Sequence, residues 1–172
     1  DRNLPMEERE STLRLPLDPQ DRRLAALLAE DGSLAAGEAA DRLGVSAPTV
    51  RTRLKGLIAR GAMRIAALVD PARVKDLTIA LVAVTLQSHQ QLDEKLEAIS
   101  RLDKVNWAAV VTGRYDIMVE VVLSDDIADL YRFLNEDLGK VGGINASESF
   151  VVMKAKRKWT LLPAGARKRF VG

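Results

Sequence analysis

Residues 46–60 constrain the fold more than any other segment, because they predict a helix with an apolar inner face and a basic outer face. Ser46 is a suitable N-cap, Pro48 falls in the first turn, and Gly61 stands where a left-handed C-cap residue is expected. The residues whose helical spacing should turn them toward a core are Val50, Leu54, Leu57 and Ile58.

The outer side of this helix is basic, and no acid lies between Ser46 and Arg60. Such a face is typical of a helix that reads DNA, but it is also found on the solvated side of an ordinary packed helix. The residues of this face that we predict to bind DNA are Ser46, Thr49, Arg51, Thr52, Arg53 and Lys55. The face also holds a further cation, Arg60, which is not part of that set.

Two segments upstream favour the DNA interpretation. Asp18 is expected to cap a helix that has Pro19 at its first position and ends near Gly32. A second, short helix is predicted from Ala35 to Leu43, ending at Gly44. Short helices joined by a turn that contains glycine match the helix-turn-helix pattern.

Composition sets the outer limits. At 172 residues and 47% hydrophobic, the chain can bury a core in one ordinary domain or two small ones. It has no cysteine, which excludes disulfides, thiolate metal sites and cysteine nucleophiles. It shows neither a long apolar run nor the pattern of a secretion signal, so we expect a cytoplasmic protein.

Charge is unevenly distributed, although the net charge is only +2. Acids crowd the second half, whereas cations concentrate in the basic helix and in a C-terminal tail, 157–172, whose basic stretch begins at Lys154. That tail is either a solubilising, disordered terminus or a DNA contact. Residues 1–16 are expected to form a flexible extension.

The second half predicts the order β-α-β-β-α-β, which is ferredoxin-like. The predicted strands are 78–87, 105–112, 115–123 and 144–154, and the helices are 91–100 and 125–138. The later helix should turn inward Ile127, Leu130, Tyr131, Leu134 and Leu138. A short strand from Ala62 to Val69 and the linker signal Asp70-Pro71 precede these elements. We therefore predict an α+β protein with a helix-turn-helix domain at 17–70, a linker at 71–77 and a second domain at 78–156.

The first strand of the second domain is apolar on both faces. Ile79 and Leu81 lie on one face, and Val82 and Val84 lie on the other. A sheet with helices on one side normally shows a polar second face to water, so something must cover this one. We expect a second copy of the chain to cover it, against Val82 and Val84.

The connection Thr112-Gly113-Arg114-Tyr115-Asp116 carries an acid and an aromatic ring beside a flexible glycine. These groups could hold a small amine-bearing ligand, with the carboxylate pairing with its ammonium. The alternative is an ordinary hairpin turn with no ligand. The candidate effector-binding residues are Gly113, Arg114, Tyr115 and Asp116.

Four motifs together resemble the Lrp/AsnC, or feast/famine, family of transcription regulators over about residues 17–156. They are Leu17-Asp18-Pro19-Gln20-Asp21, Asp31-Gly32, the Val45 to Leu54 segment of the basic helix, and Gly113-x-Tyr115-Asp116. The resemblance implies a winged helix-turn-helix that binds double-stranded DNA and an effector-binding and oligomerisation domain. It further implies homodimers that assemble into tetramers or octamers, and an amino acid or related metabolite bound at the turn of Gly113. Gly56 departs from the family, which usually has a basic residue there.

Two other functions share this architecture. Siroheme decarboxylases resemble the chain in fold but rely on histidines, and His89 is the single histidine here. No nucleophile triad, metal-ligand spacing or phosphate loop stands in the sequence, so we expect no enzyme activity, cofactor or metal. A metabolite sensor without DNA binding is the other alternative, and the basic helix argues against it.

Overall fold

The structure, a computed structural model, describes residues 16–171. The chain divides into two compact units, with the boundary between Ala66 and Ala67. Of the extension predicted at 1–16, all but Pro16 lies outside the described residues.

The N-terminal unit consists of three helices, α1 (Pro19–Glu30), α2 (Ala36–Leu43) and α3 (Ala47–Ala59). The predicted caps are present. The Asp18 carboxylate accepts a hydrogen bond from the backbone N–H of Asp21, Ser46 accepts one from that of Thr49, and Gly44 ends α2 in the left-handed region. The core of this unit is built from Leu24, Leu28, Ala39, Ala40, Val50 and Leu57.

Two expectations for this unit are wrong. Ile58, expected in the core, is 46% exposed on α3. Residues 62–68 form no strand, and Val69 makes only an isolated antiparallel bridge with Thr160. The physical reason is that strand geometry is stabilised by a ladder of backbone hydrogen bonds, and a single opposed residue does not supply one.

The C-terminal unit is a four-stranded antiparallel sheet, with three helices on one face and a last helix on part of the other. Its strands are β1 (Thr78–Leu86), β2 (Val105–Val110), β3 (Ile117–Leu123) and β4 (Ile144–Val151), in the order β2-β3-β1-β4. The helices are α4 (Leu92–Ser100), α5 (Ile127–Arg132) and α6 (Leu138–Val141). This confirms the predicted ferredoxin-like α+β architecture, in which β1 and β3 are central.

The core between sheet and helices contains Val82 and Val84 of β1, packed with Ile99, Phe133 and Leu138. The expectation that Val82 and Val84 face a second copy is therefore wrong. Both faces of β1 are apolar, so alternation alone does not distinguish the face that the helices cover.

A π-helical turn, Phe133–Asp137, joins α5 to α6, and the backbone N–H of Leu138 bonds to the carbonyl of Phe133 five residues earlier. The extra residue turns Phe133 and Leu138 into the core, where both are almost fully buried. Ile127 and Tyr131, predicted to point inward, are 74% and 65% exposed. Both residues precede the π turn and belong to a regular helix, whose buried side follows Leu130 and Phe133 instead.

The outer face of the sheet, opposite the helices, is partly covered by the chain itself. Ile79 and Val122 pack with Leu162 and with Ala166 of a final helix, α7 (Ala164–Val171). Of the two alternatives for the tail, a disordered terminus is therefore wrong for the residues described, and a DNA contact stays a prediction. The rest of this face, by strand register, consists of Leu81, Ala83 and Thr85, Trp107 and Ala109, Met118 and Glu120, and Ala146, Glu148 and Phe150.

Candidate functional site

The first two turns of α3 present a row of polar side chains. Arg51, Thr52 and Lys55 are exposed, and within the described part of the chain they have no side-chain hydrogen bond or ion pair. The hydroxyl of Thr49 lies 2.8 Å from that of Ser46, so both are engaged in the cap. The N-terminal end of α3 also offers backbone N–H groups and a partial positive charge, which favour an anion such as a phosphate.

Arg53 behaves differently from the other predicted DNA-binding residues. Its Nη1 atom donates to Asp18 Oδ2 at 2.7 Å and to Asp21 Oδ1 at 2.8 Å. Arg60, near the end of α3, donates from Nη2 to Asp21 Oδ2 at 3.2 Å. Two acids at the start of α1 therefore hold Arg53 of α3 and Arg60, the C-cap residue that follows it.

The electrostatics of this network favour the charged forms. The backbone N–H of Asp21 and the guanidinium of Arg53 lower the pKa of Asp18 below its usual value. The carboxylates of Asp18 and Asp21 in turn raise the pKa of Arg53. The Asp18–Arg53 pair is therefore ionic at neutral pH.

From the sequence, Asp21 was named only as part of the Leu17–Asp21 motif, and its ion pairs with Arg53 and Arg60 were missed. A signal was present, because Asp21, Leu24 and Leu28 follow one another at helical spacing and all three are buried. An acid on the buried stripe of a helix requires a cationic partner.

The four predicted effector-binding residues lie in the connection between β2 and β3. Gly113 has a φ of +115°, a region that favours glycine. The guanidinium carbon of Arg114 stands 5.5 Å from the centroid of the Tyr115 ring, within the range of a cation–π contact. The Tyr115 hydroxyl donates to Glu148 on β4, and this carboxylate raises the pKa of Tyr115.

Asp116 connects this turn to the end of β1. Its Oδ2 atom accepts a hydrogen bond from the backbone N–H of Leu86 at 2.8 Å, and its Oδ1 atom lies 3.2 Å from His89 Nδ1. The Asp116 side chain is 17% exposed, whereas that of His89 is 82% exposed. One carboxylate oxygen is therefore fixed by backbone, and the other faces a side chain that can move into water.

The basic tail is held by acids of its own unit. Lys158 Nζ lies 2.8 Å from Oε2 of Glu120, which is only 2% exposed. The other oxygen of Glu120 accepts from Asn106 Nδ2 at 2.7 Å. Lys168 Nζ contacts Asp103 Oδ2 at 2.7 Å.

Within residues 16–171, no group of three or more His, Cys, Asp or Glu residues is placed to hold a metal ion. None of the helices described is both long enough and apolar enough to span a membrane.

Known proteins resemble both units. The model of the AsnC-type helix-turn-helix domain matches residues 17–58, and that of the Lrp/AsnC ligand binding domain matches residues 79–160. An uncharacterized HTH-type transcriptional regulator of Pyrococcus abyssi is 32% identical over 147 residues, which cover 85% of this chain and 91% of the relative. A proline dehydrogenase transcriptional activator of Rhizobium radiobacter is 27% identical over 145 residues, covering 83% and 92%.

Solved structures show the same fold. The crystal structure of a Neisseria meningitidis transcriptional regulator in complex with L-Met matches with a TM-score of 0.68 at 24% identity, over 86% of this chain and 96% of that one. The two family models occur here in the order helix-turn-helix and then ligand-binding domain, on the two units that the structure separates. This chain belongs to the Lrp/AsnC family of DNA-binding transcriptional regulators.

Proposed function

We propose that α3 reads DNA in the major groove through Thr49, Arg51, Thr52 and Lys55. The observation that carries this proposal is that Arg51 and Lys55 lie one helical turn apart, exposed and without an acidic partner among the described residues. An arginine in this position can donate two hydrogen bonds to a guanine edge, and a lysine can neutralise a phosphate. Arg53 is left out of this set because its Nη1 atom is already paired with Asp18 and Asp21.

The test compares Arg51→Ala and Lys55→Ala with a matched control, Arg23→Ala. Arg23 is exposed on α1 and carries the same charge. On the duplex that the wild type selects from a randomised pool, Arg51→Ala should cost about 1 to 3 kcal/mol and relax sequence preference. Lys55→Ala should weaken binding to all sequences alike. The slope of log affinity against log salt should become shallower by about the amount of one phosphate contact. Wild-type binding by the double variant would refute this role of α3.

We further propose that the regulator responds to an amino acid or related small metabolite held at Gly113–Asp116. The match to a ligand-binding domain and the L-Met complex of the Neisseria relative support a ligand of this class. Here the ammonium would replace the His89 imidazole at Asp116 Oδ1, while the exposed Arg114 guanidinium is available for the ligand carboxylate. A transcription regulator has to reach DNA, so we place the protein in the cytoplasm.

Calorimetric titration with each standard amino acid tests the effector proposal. For an amino acid that binds the wild type, Asp116→Asn should weaken binding strongly, because the amide carries no charge to pair with an ammonium. The control Asp93→Asn, an exposed acid on α4, should bind as the wild type does. His89→Ala should bind equally or more tightly, since it removes the competitor. Equal binding by Asp116→Asn and the wild type would place the site elsewhere.

We also propose that the chain forms homodimers through the uncovered part of the outer face. Trp107 and Phe150 remain 41% and 45% exposed there, on either side of Leu81. Large apolar side chains grouped on one surface mark an association site. Light scattering should show that Leu81→Asp is monomeric, whereas the control Ile127→Asp, at an exposed apolar position on α5, remains dimeric. A dimeric Leu81→Asp variant would disprove this interface.

A further inference from the structure

Asp18 and Asp21 hold two of the four cations of residues 46–60 in ion pairs, namely Arg53 of α3 and its C-cap residue Arg60. Asp21 receives Arg53 on one carboxylate oxygen at 2.8 Å and Arg60 on the other at 3.2 Å. Asp18 receives Arg53 at 2.7 Å. The polar groups of the two helices are thus connected at two points along α3.

The spacing of these contacts restrains the orientation of α3 as well as its distance from α1. Arg53 and Arg60 are seven residues apart, about two helical turns, so they lie on the same side of α3. Two anchors on one side of a helix oppose both rotation about its axis and translation along it. The common acceptor is well buried, because the Asp21 side chain is only 8% exposed, and its attraction for the guanidinium groups is therefore weakly screened by water.

The pairing also reduces the number of cations that α3 and its C-cap residue can offer to DNA phosphates. A cation that contacts phosphate contributes affinity without sequence information. With Arg53 and Arg60 neutralised from α1, Arg51 and Lys55 are the cations of α3 that lack an acidic partner among the described residues. Base-edge contacts at the start of α3 then make up a larger share of its binding energy.

We propose that Asp21, assisted by Asp18, is a specificity-determining positioning residue. It fixes the rotation of α3 and withholds Arg53 and Arg60 from the phosphate backbone, so that sequence preference rises while sequence-independent affinity falls. This inference rests on the proposed reading of DNA by α3.

The variants that test it are Asp21→Asn and Asp18→Asn, with Asp41→Asn as the matched control. Asp41 is an exposed acid on α2 that makes no ion pair within the described residues, and its change removes the same charge. Asp18→Asn keeps α1 capped, because asparagine is as good an N-cap as aspartate. It therefore tests the inference even if Asp21→Asn fails to fold. Asp21→Glu restores the charge.

The probes are the duplex selected by the wild type and a shuffled duplex of equal composition and length, each titrated at several salt concentrations. Each freed guanidinium that finds a phosphate should steepen the slope of log affinity against log salt by about 0.9. We expect Asp21→Asn to bind the shuffled duplex more tightly at low salt, with a slope steeper by about 0.9 to 1.8. Its preference for the selected duplex should fall about tenfold, as when one base contact is lost.

Asp18→Asn should shift the slope in the same direction by a smaller amount, and Asp21→Glu should return toward the wild type. A role in folding alone predicts equal weakening on both duplexes without a steeper slope, and that result would overturn the inference. So would a change no larger than that of Asp41→Asn. If Arg51→Ala and Lys55→Ala also leave binding unchanged, the reading of DNA by α3 fails as well, which separates the two outcomes.

Discussion

Replacing Asp129 by asparagine should make the C-terminal unit less sensitive to acid. Asp129 is 5% exposed and accepts hydrogen bonds from the backbone N–H of Ser124 at 2.9 Å, from Lys104 Nζ at 2.9 Å and from Arg132 Nη2 at 3.3 Å. Burial opposes ionisation of this carboxyl, but the Ser124 N–H and the two cations outweigh it and lower the pKa of Asp129 from 3.8 to about 2.

The size of the effect follows from the difference between these two pKa values. One pKa unit corresponds to about 1.4 kcal/mol, so the carboxylate contributes about 2 kcal/mol to the free energy of unfolding. Because the pKa is lower in the folded state, this contribution is fully present above about pH 4. It is lost as the pH falls from about 4 to about 2.

The assay is urea unfolding followed by tryptophan fluorescence at several pH values between about 6 and about 2. This range includes the pH values over which the contribution of Asp129 is lost. Both tryptophans, Trp107 and Trp159, belong to the C-terminal unit, so the signal reports that unit. Over this range the wild type should lose about 2 kcal/mol more than Asp129→Asn. The exposed-site control Asp93→Asn should follow the wild type. Parallel curves for wild type and Asp129→Asn would refute the argument.

Two further changes probe the contacts of the C-terminal tail with the rest of its unit by the same fluorescence assay. Lys158→Met should destabilise the unit by about 3 kcal/mol, because Glu120 is left buried without its cation. The double variant with Glu120→Met should recover most of that loss. If Lys158→Met alone leaves the stability unchanged, the pair contributes nothing. Gly165→Ala should cost about 1 to 3 kcal/mol, since its Cβ would lie 2.9 Å from the Asp103 carbonyl oxygen. The control Gly139→Ala has room for its Cβ and should be neutral or slightly stabilising; equal effects of the two alanines would contradict the close approach.

Local signals predicted the elements well, because they act within a few residues. The caps at Asp18 and Ser46 and the left-handed Gly44 fixed the ends of the first three helices to within about two residues of the structure. The order of strands and helices along the second unit was predicted in the same way, from hydrophobic periodicity and turn residues.

Partners that are distant in the chain were not predictable from the same signals. Arg53 and Asp18 are 35 residues apart, and nothing in the basic face of α3 distinguishes a paired arginine from a free one. The two apolar faces of β1 raise a similar problem. Apolar residues on both faces indicate that both are buried. Only the packing of α7 and the Glu120–Lys158 pair shows what covers part of the outer face.

At the candidate effector site, the sequence identified the residue types but not their engagement. The carboxylate of Asp116 was expected to be available to a ligand, and in the structure it holds the Leu86 N–H and faces His89. His89, named in the sequence only as the single histidine, lies on the surface, and its ring contacts the carboxylate at the centre of that site.

The π-helical turn at Phe133–Asp137 makes this helix tolerant of a change in chain length. A π turn holds one residue more than the α-helical turn it replaces, and the helical path resumes on either side of it. Deleting one residue between Phe133 and Leu138 would convert it to a regular turn and still leave both apolar side chains facing the sheet. A deletion within α5, by contrast, would rotate every later side chain by about 100°. Insertions and deletions of a single residue among related chains should therefore concentrate at this turn.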